Sequence, residues 1–288
     1  MSGRGIDHLV VAVPDLARAA ETWRSLGFTT TPEARHPFGT GNHLVQFGNG
    51  SFVELVAVVD PAKIVDGDDE TFSFAAFNRD WLARHPVGGG SMIVVRSAGA
   101  EADRAAFGAA GLRLFAPFGF ERTATGPDGV ARTVAFSLTF VADEALADLG
   151  LFASHNHYPE NFWKAPFQTH ANSGRGIAEI VVAVDDPQSH RAVFEGFSGV
   201  AAQPQGSALA FPDPAGTLVL APAADLDRWG VTVAEPGRIA AATIAIEDAD
   251  RAVATLAANG IAHRRDGGRI FVAPADASGL ALVLDAEA

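Results

Sequence analysis

The feature that most constrains the fold is an internal repeat. Residues 6–13 read IDHLVVAV and residues 177–184 read IAEIVVAV. Both runs are rich in β-branched residues and have the length of a strand. Each is followed by apolar residues at helical spacing and then by a glycine, Gly27 in the first copy and Gly199 in the second. The chain therefore contains at least two strand–helix units of the same design.

Two weaker copies of this unit complete the pattern. Residues 91–96 (SMIVVR) precede a helical stretch that ends at Gly111, and residues 239–246 (IAAATIAI) precede one that ends at Gly260. In every copy, short strands follow the predicted helix. These predicted strands cover residues 42–47, 51–58, 130–141, 149–157, 208–211, 217–221, 269–273 and 280–284.

Units of this kind form a small twisted sheet with one helix on one face. The other face stays uncovered until a second unit closes over it, so the units are expected to pair. Four units predict two α+β domains, each with a cleft between its two sheets. The boundary is expected near residues 172–175, which gives domains at 1–172 and 173–288.

The composition narrows the classes of partner. The 288 residues carry a formal net charge of −13, so we expect no nucleic-acid or membrane-surface partner. The sequence has no cysteine, so any metal must be held by His, Asp or Glu. The start of the chain does not resemble a targeting signal, and the apolar runs are too short to cross a bilayer. A cytoplasmic protein is the expectation.

The chain resembles a known superfamily over essentially its whole length, most clearly in the first and third modules. The stretches GIDHLVVAVPDLARAAETWRSLGF and FVELVAV resemble vicinal oxygen chelate proteins, which include glyoxalase I, extradiol dioxygenases and bleomycin-resistance proteins. HPFGTGNHLVQFG and HYPENFW resemble its glyoxalase-like branch. The resemblance implies an α+β fold of four βαβββ modules, paired into two glyoxalase/bleomycin resistance/dioxygenase-like domains. It also implies a divalent metal such as Fe, Mn, Zn or Ni.

The resemblance places metal ligands at a histidine early in the first strand and at a glutamate in the last strand of the module. His8 and Glu54 match these two positions. Both interrupt apolar strands, where a polar group needs a partner. The alternative is a His–Glu ion pair that lines a wet cleft without a metal.

The second module supplies the other ligand positions. Ser91 or Met92 stands at one of them, and neither is a typical ligand. In the last strand, His155 and His157 are two residues apart and share a face. One of them, with His8 and Glu54, would give a two-histidine, one-carboxylate set suited to Fe(II), Mn or Zn. The alternative is that these imidazoles bind loop backbone.

Further side chains are candidates for substrate contacts and proton transfer. His43 and Gln46 lie in the third strand, and His43 or Glu54 is a candidate acid–base group. Asn161 and Trp163 belong to a segment that either roofs the cleft or straps the two halves together. A surface or capping role for His43 is the alternative.

The C-terminal pair lacks these residues. Glu179 stands where His8 stands, and the last strands, TLVLA and LALVL, have no carboxylate. This half is expected to be a structural or dimer-forming copy, and a homodimer is compatible with the sequence. For the N-terminal cleft we expect a metal-dependent enzyme of the lyase/isomerase or dioxygenase type that acts on a small oxygenated molecule. The alternative is a metal-free protein that binds or sequesters a small molecule, as bleomycin-resistance proteins do.

Overall fold

The protein forms two curved sheets, one from each half of the chain. The computed structural model describes residues 3–126, 128–232 and 234–288. The first sheet has nine strands and the second has eight. In the first sheet, β2, β3, β4, β1, β5, β9, β8 and β6 lie side by side in that order, and β7 pairs with β8. Its strands are Ile6–Ala12 (β1), Ala34–Arg35 (β2), Thr40–Gln46 (β3), Phe52–Val58 (β4), Gly89–Arg96 (β5), Arg113–Leu114 (β6), Phe118–Thr125 (β7), Ala131–Ala142 (β8) and Gly150–Asn156 (β9).

The second sheet repeats this arrangement. Strands β11, β12, β13, β10, β14, β17, β16 and β15 lie side by side in that order. Its strands are Gly174–Ala183 (β10), Gln203–Gln205 (β11), Ala208–Phe211 (β12), Thr217–Ala221 (β13), Arg238–Ile246 (β14), His263–Asp266 (β15), Arg269–Val272 (β16) and Ala281–Asp285 (β17). The fold is therefore the predicted α+β arrangement of four modules in two pairs.

Each module has one main helix, which follows the first strand of the module. These four helices are Leu16–Ser25 (α1), Ala100–Ala109 (α3), Arg191–Ser198 (α5) and Ala249–Ala258 (α6). Two further helices, Phe74–Arg84 (α2) and Pro159–Phe162 (α4), lie in the segments that precede β5 and β10. Asp15 caps the start of α1 by accepting a hydrogen bond from the Arg18 amide. Trp23 lies on the buried face of α1 and packs in the core. Short 3₁₀ helices lie at Pro61–Lys63, Ala165–Gln168, Pro187–His190, Ala223–Trp229 and Pro274–Asp276. Across the described ranges, no helix has the length and apolar character needed to cross a membrane.

The two modules of each half are joined edge to edge. In the first half β1 and β5 pair in antiparallel fashion, and β10 pairs with β14 in the same way in the second half. Each half is thus one continuous curved sheet, and its cleft lies on the concave face. The expectation of two separate sheets with a cleft between them is therefore wrong. The two modules form one sheet, because the backbone N–H and C=O groups along the edges of β1 and β5 hydrogen-bond to each other.

One apolar core is shared by the two halves. It contains the helix-facing side chains of both sheets together with residues of the main helices, such as Trp23, Phe107, Phe197 and Leu256. Phe107 of α3 and Phe197 of α5 lie with ring centroids 6.0 Å apart across the two halves. The concave faces point away from this core and carry separate side-chain clusters.

The two concave faces differ in how they are filled. In the second half, the 3₁₀ helix Ala223–Trp229 packs there, and Trp229 is buried beside Phe271. The indole Nε1 of Trp229 donates a hydrogen bond of 2.9 Å to Glu179. A bulky ring and its carboxylate partner thus occupy the position that a cavity takes in the first half.

Candidate active site

The concave face of the first sheet encloses a cavity of about 40 Å³. Aromatic and aliphatic side chains form most of its wall, and six polar side chains enter it. The apolar residues are Phe38, Leu44, Phe52, Phe74, Phe120, Phe136, Leu138, Phe152 and Phe162, and the polar residues are His8, His36, Asn42, Glu54, Arg122 and Ser154. We call this space the inner cavity. A few convergent polar groups in an apolar pocket are typical of a small-molecule site.

The structure brings His8 and Glu54 together in the inner cavity. Strands β1 and β4 are parallel neighbours, with His8 opposite Phe52 and Glu54 opposite Val10. Because side chains alternate along a strand, both polar groups point to the concave face. Nε2 of His8 lies 3.7 Å from Oε2 of Glu54.

Three groups hold the His8 ring in place. Its Nδ1 lies 2.6 Å from an oxygen of Asp7, and the ring stacks on Phe52 at a centroid distance of 4.1 Å. The edge of Phe152 packs against the same ring. The contact between Nδ1 and Asp7 orients the ring so that Nε2 points toward Glu54.

A second histidine, His36, approaches Glu54 from the loop between β2 and β3. Its Nε2 lies 3.7 Å from Oε1 of Glu54, and its Nδ1 lies 2.8 Å from the Thr40 hydroxyl. The ring stacks on Phe38 at 4.9 Å. Burial, with a smaller contribution from the charge of Arg122, lowers the pKa of His36 to about 3. His36 is therefore neutral at physiological pH.

Glu54 is the central group of the inner cavity. Burial raises the pKa of its carboxyl above the ordinary value. Nearby His8, the hydrogen bond from Asn42 and the charge of Arg122 oppose this rise without cancelling it. Asn42 donates from Nδ2 to Oε1 of Glu54 at 2.6 Å, and the same nitrogen lies 3.3 Å from Nε2 of His36. The amide thus links the carboxylate to the neutral imidazole.

Arg122 of β7 completes the polar part of the site. Its Nε and Nη1 atoms are buried, and neither has a hydrogen-bond partner within the described residues. Burial lowers the pKa of the guanidinium, although a guanidinium stays protonated in proteins. Oδ1 of Asn42 is likewise buried without a partner in the same part of the structure.

A second space of about 350 Å³, the outer cavity, adjoins the inner one. Asn42, Leu44, Arg122 and Phe162 line both, so these four side chains form the junction between them. The outer cavity therefore lies directly beside the inner one, on the side of Arg122.

Two of the residues expected to contact substrate line this outer cavity. They are Gln46 and Asn161. Gln46 donates to the Phe162 carbonyl at 2.9 Å, and Asn161 donates to the Thr133 carbonyl at 2.9 Å. Trp163 lines neither cavity, and instead packs on Phe52 with centroids 5.9 Å apart.

The structure does not bring His43 to either cavity. His43 lies between Asn42 and Leu44, which face the concave side, so its ring points to the opposite side of β3. Its Nδ1 donates to the Thr31 carbonyl at 2.7 Å. The expected role of His43 as an acid–base or substrate-binding group is thus not supported by its position.

The histidine pair of β9 also lies on the other face of the sheet. Phe152 and Ser154 line the inner cavity, so His155 points away from it. His157 follows the end of β9 and its Nε2 lies 2.8 Å from the Ser137 hydroxyl. Their rings contact each other at 4.7 Å, but neither reaches His8 and Glu54.

The donor set near His8 and Glu54 does not complete the expected metal site. On the module-two strands beside this pair, Met92 of β5 pairs with Val10, and Phe152 of β9 lines the inner cavity. Both are apolar and buried. In the ranges that the structure describes, no three His, Asp or Glu side chains form a group arranged to hold a metal. His36 approaches the opposite oxygen of Glu54, and Arg122 adds positive charge beside it. These residues do not fit a divalent metal.

Three members of the site have no role in the sequence interpretation: His36, Asn42 and Arg122. His36 lies in a loop, where no periodicity marks it. Arg122 follows the alternation Phe118, Phe120, Arg122, which is typical of a strand with one face toward the cleft. This alternation could have predicted both the strand β7 and the position of Arg122 on its cleft-facing side.

A comparison with family models places the chain in a family. Residues 6–196 match the glyoxalase-like domain. Since this match covers more than half of the chain, the protein belongs to the glyoxalase-like family. Among curated proteins, no relative matches the chain.

Solved structures share its architecture at low sequence identity. A hypothetical protein from Staphylococcus aureus is 11% identical with a TM-score of 0.66, over 97% of this chain and 98% of that one. A mutant of 4-hydroxymandelate synthase from Streptomyces coelicolor is 10% identical with a TM-score of 0.62, over 99% and 92%. A xylose isomerase-like TIM barrel/4-hydroxyphenylpyruvate dioxygenase fusion protein is 14% identical with a TM-score of 0.57, over all of this chain and 49% of that one. These likenesses show the vicinal oxygen chelate fold.

Proposed function

We propose that the N-terminal half is an enzyme of the isomerase or lyase type that moves a proton on a small oxygenated molecule. The observation that carries this proposal is the position of Glu54. Its carboxyl is buried in an aromatic cavity, lies between two imidazoles and has a raised pKa. A carboxyl group whose pKa is moved toward neutrality is suited to both accept and return a proton.

The neighbouring groups have distinct roles in this proposal. Glu54 takes the proton from the carbon next to a substrate carbonyl, and the electron pair of the broken C–H bond moves onto the carbonyl oxygen to give an enolate. The protonated Glu54 then returns the proton to a carbon of this enolate, which restores the carbonyl. Asn42 holds Oε1 of Glu54, which leaves Oε2 free to accept the proton. His8, with Nδ1 held by Asp7, places its Nε2 beside that oxygen.

The neutral state of His36 supports the same assignment. A protonated imidazole beside Oε1 would favour the charged carboxylate and lower the pKa of Glu54. Because the pKa of His36 is about 3, that stabilisation is absent at neutral pH. The site thus keeps Glu54 a stronger base than a carboxylate in water.

The sizes of the two spaces set the size of the substrate. The inner cavity of about 40 Å³ holds a small head group, such as a carbonyl with its neighbouring carbon. The outer cavity of about 350 Å³ takes the remainder of the molecule. The proposed substrate is therefore a small molecule with its oxygenated end toward Glu54.

A proton-exchange experiment tests this function without knowledge of the natural substrate. Proton NMR in D₂O follows the loss of the hydrogens next to the carbonyl in a panel of small 2-oxo acids and hydroxyketones. We expect exchange with the wild-type protein for at least one compound and loss of it in Glu54→Gln. Glu21→Gln, at an exposed position of α1, is the matched control and should exchange like the wild type.

A metal-free binding or sequestration protein is the second candidate function. The nine apolar side chains of the inner cavity favour it, because such a wall retains an apolar ligand without chemistry. Compounds that raise the melting temperature but show the same exchange in wild type and Glu54→Gln would support binding and contradict the enzyme.

A further inference from the structure

The unpaired guanidinium of Arg122 indicates what kind of ligand the site takes. Arg122 lies at the junction of the inner and outer cavities. No ion pair or hydrogen bond joins it to another described residue, and its Nε and Nη1 atoms are buried. The charge of Glu54 acts on Arg122 without forming a hydrogen bond to it. Buried guanidinium nitrogens without a hydrogen-bond partner are unfavourable, so a position of this kind is expected to receive an anion.

The charge distribution around the junction agrees with an anionic ligand. Three cationic side chains, Arg35, Arg122 and Lys164, line the outer cavity, against one anionic side chain, Glu33. Arg35 pairs with Glu33 at 2.9 Å, and Lys164 donates to a backbone carbonyl. The entrance is thus positive in a protein with a net charge of −13. Such a local field concentrates anions at the site.

A second unpaired group lies at the same junction. Asn42 is buried, and its Nδ2 is used by Glu54, whereas its Oδ1 accepts no hydrogen bond from the described residues. A buried acceptor without a donor is as unfavourable as an unpaired donor. A ligand that satisfies both residues carries an anionic group for Arg122 and a hydroxyl proton for Asn42.

We propose that the substrate of this site is a small hydroxylated carboxylic acid that also carries the carbonyl group beside which Glu54 removes the proton, with its carboxylate bound by Arg122 and its hydroxyl group by Oδ1 of Asn42. Arginine is suited to this role because its planar guanidinium binds a carboxylate through two parallel hydrogen bonds. The apolar body of the ligand then contacts Leu44, Phe162 and Phe167 in the outer cavity. This inference specifies the substrate class and rests on the proposed function of the same site.

Titration calorimetry on the full-length protein tests the proposal with three matched probes. They are 3-phenyllactate, its neutral amide, and 3-phenylpropionate, which lacks the hydroxyl group. We expect the wild type to bind 3-phenyllactate at least about tenfold more tightly than the amide. In Arg122→Gln this preference should be lost, with amide binding unchanged. The wild type should also bind 3-phenyllactate more tightly than 3-phenylpropionate, because only the former has a hydroxyl group for Asn42. This preference for 3-phenyllactate should be lost in Asn42→Ala.

Two further variants control this experiment. Arg132→Gln removes a half-buried arginine of β8 that pairs with Asp128 and lines neither cavity, so its binding should equal that of the wild type. Arg122→Lys keeps the charge but not the planar fork, so its affinity for 3-phenyllactate should lie between those of wild type and Arg122→Gln. It also provides a folded comparison where Arg122→Gln is unstable.

Three outcomes would overturn the proposal. They are equal affinity of the wild type for acid and amide, no binding of the acid at millimolar concentration, and unchanged acid binding when Arg122 is replaced. The proposed catalytic function fails separately. In that case acid binding depends on Arg122, but Glu54→Gln leaves proton exchange unchanged.

Discussion

Nε2 of His8 lies 3.7 Å from Oε2 of Glu54, although α1, β2 and β3 separate the two residues along the chain. The contact arises because β1 and β4 are parallel neighbours and both side chains point to the concave face. It places a buried carboxyl among aromatic rings, where the charged form of the carboxyl is disfavoured.

Replacement of Glu54 by glutamine is expected to stabilise the protein while it removes proton transfer. The pKa of Glu54 is raised in the folded state, so the folded protein loses stability as pH rises through that value. Glutamine keeps an oxygen for Asn42 but has no charge to bury. We expect a gain on the order of 1 kcal/mol at pH 8, measured by urea unfolding, and a smaller gain at pH 4. A loss of stability at pH 8 would contradict the account.

His36 is expected to make the protein sensitive to acid. Its pKa is about 3 in the folded protein and near 6.5 when unfolded, so the unfolded chain binds a proton first. Stability should fall by up to about 1.4 kcal/mol per pH unit as pH drops from 6.5 toward 3. His36→Gln should show a shallower slope in urea unfolding across this range.

A second buried histidine, His170, leaves part of this slope in place, because burial lowers its pKa to about 4. His155→Gln, on the opposite face of the sheet, is the control and should keep the wild-type slope. A slope in His36→Gln equal to that of the wild type would show that His36 is not held neutral.

The donor set predicts that the purified protein does not hold a divalent metal at the His8–Glu54 pair in stoichiometric amount. His8 and His36 lie beside different oxygens of Glu54, and no group of three donors arranged to hold a metal occurs in the described residues. Elemental analysis of untagged protein, after supplementation with Fe, Mn, Zn and Ni, should give less than about a tenth of an equivalent. One equivalent that disappears in both His8→Ala and His36→Ala would contradict this and identify His36 as the third ligand.

The second half is expected to contribute stability and no chemistry. Trp229 fills its concave face and donates a hydrogen bond to buried Glu179. Trp229→Ala should therefore cost about 3–5 kcal/mol in unfolding free energy. Proton exchange per folded molecule at Glu54 should equal that of the wild type. A loss of exchange in folded Trp229→Ala protein would assign the second half a role in the reaction.

Much of the fold followed from the sequence because the repeat carries its own periodicity. The predicted strands at 208–211 and 217–221 coincide with β12 and β13. The one at 51–58 starts one residue before β4, and the one at 130–141 is displaced from β8 by one residue at both ends. The strand β7 was missed, although Phe118, Phe120 and Arg122 alternate along it. Among the described residues, this strand pairs only with β8 and the second sheet has no equivalent strand, so the internal repeat did not indicate it.

The sequence predicts site residues only in strands whose alternation of polar and apolar side chains shows which face is buried. His8 and Glu54 interrupt apolar strands, so their common face was clear. In β9 both faces carry apolar residues, and a shift of one residue exchanges them. The pairing of Met92 with Gly150 selects the face with Phe152 and Ser154, which turns His155 outward. His36 reaches the site from a loop, and its position depends on packing against Phe38 that no local pattern encodes.

The protonation of Glu54 itself tests the central claim most directly. The side-chain carboxyl carbon of glutamate, labelled with ¹³C, is followed by NMR across a pH titration of the full-length protein. Its signal is assigned by its absence in Glu54→Gln. We expect Glu54 to titrate clearly above the ordinary glutamate pKa of 4.5, because its carboxyl is buried. A titration midpoint at or below 4.5 would show a carboxylate that is already ionised and well solvated, and would contradict the proposed proton transfer.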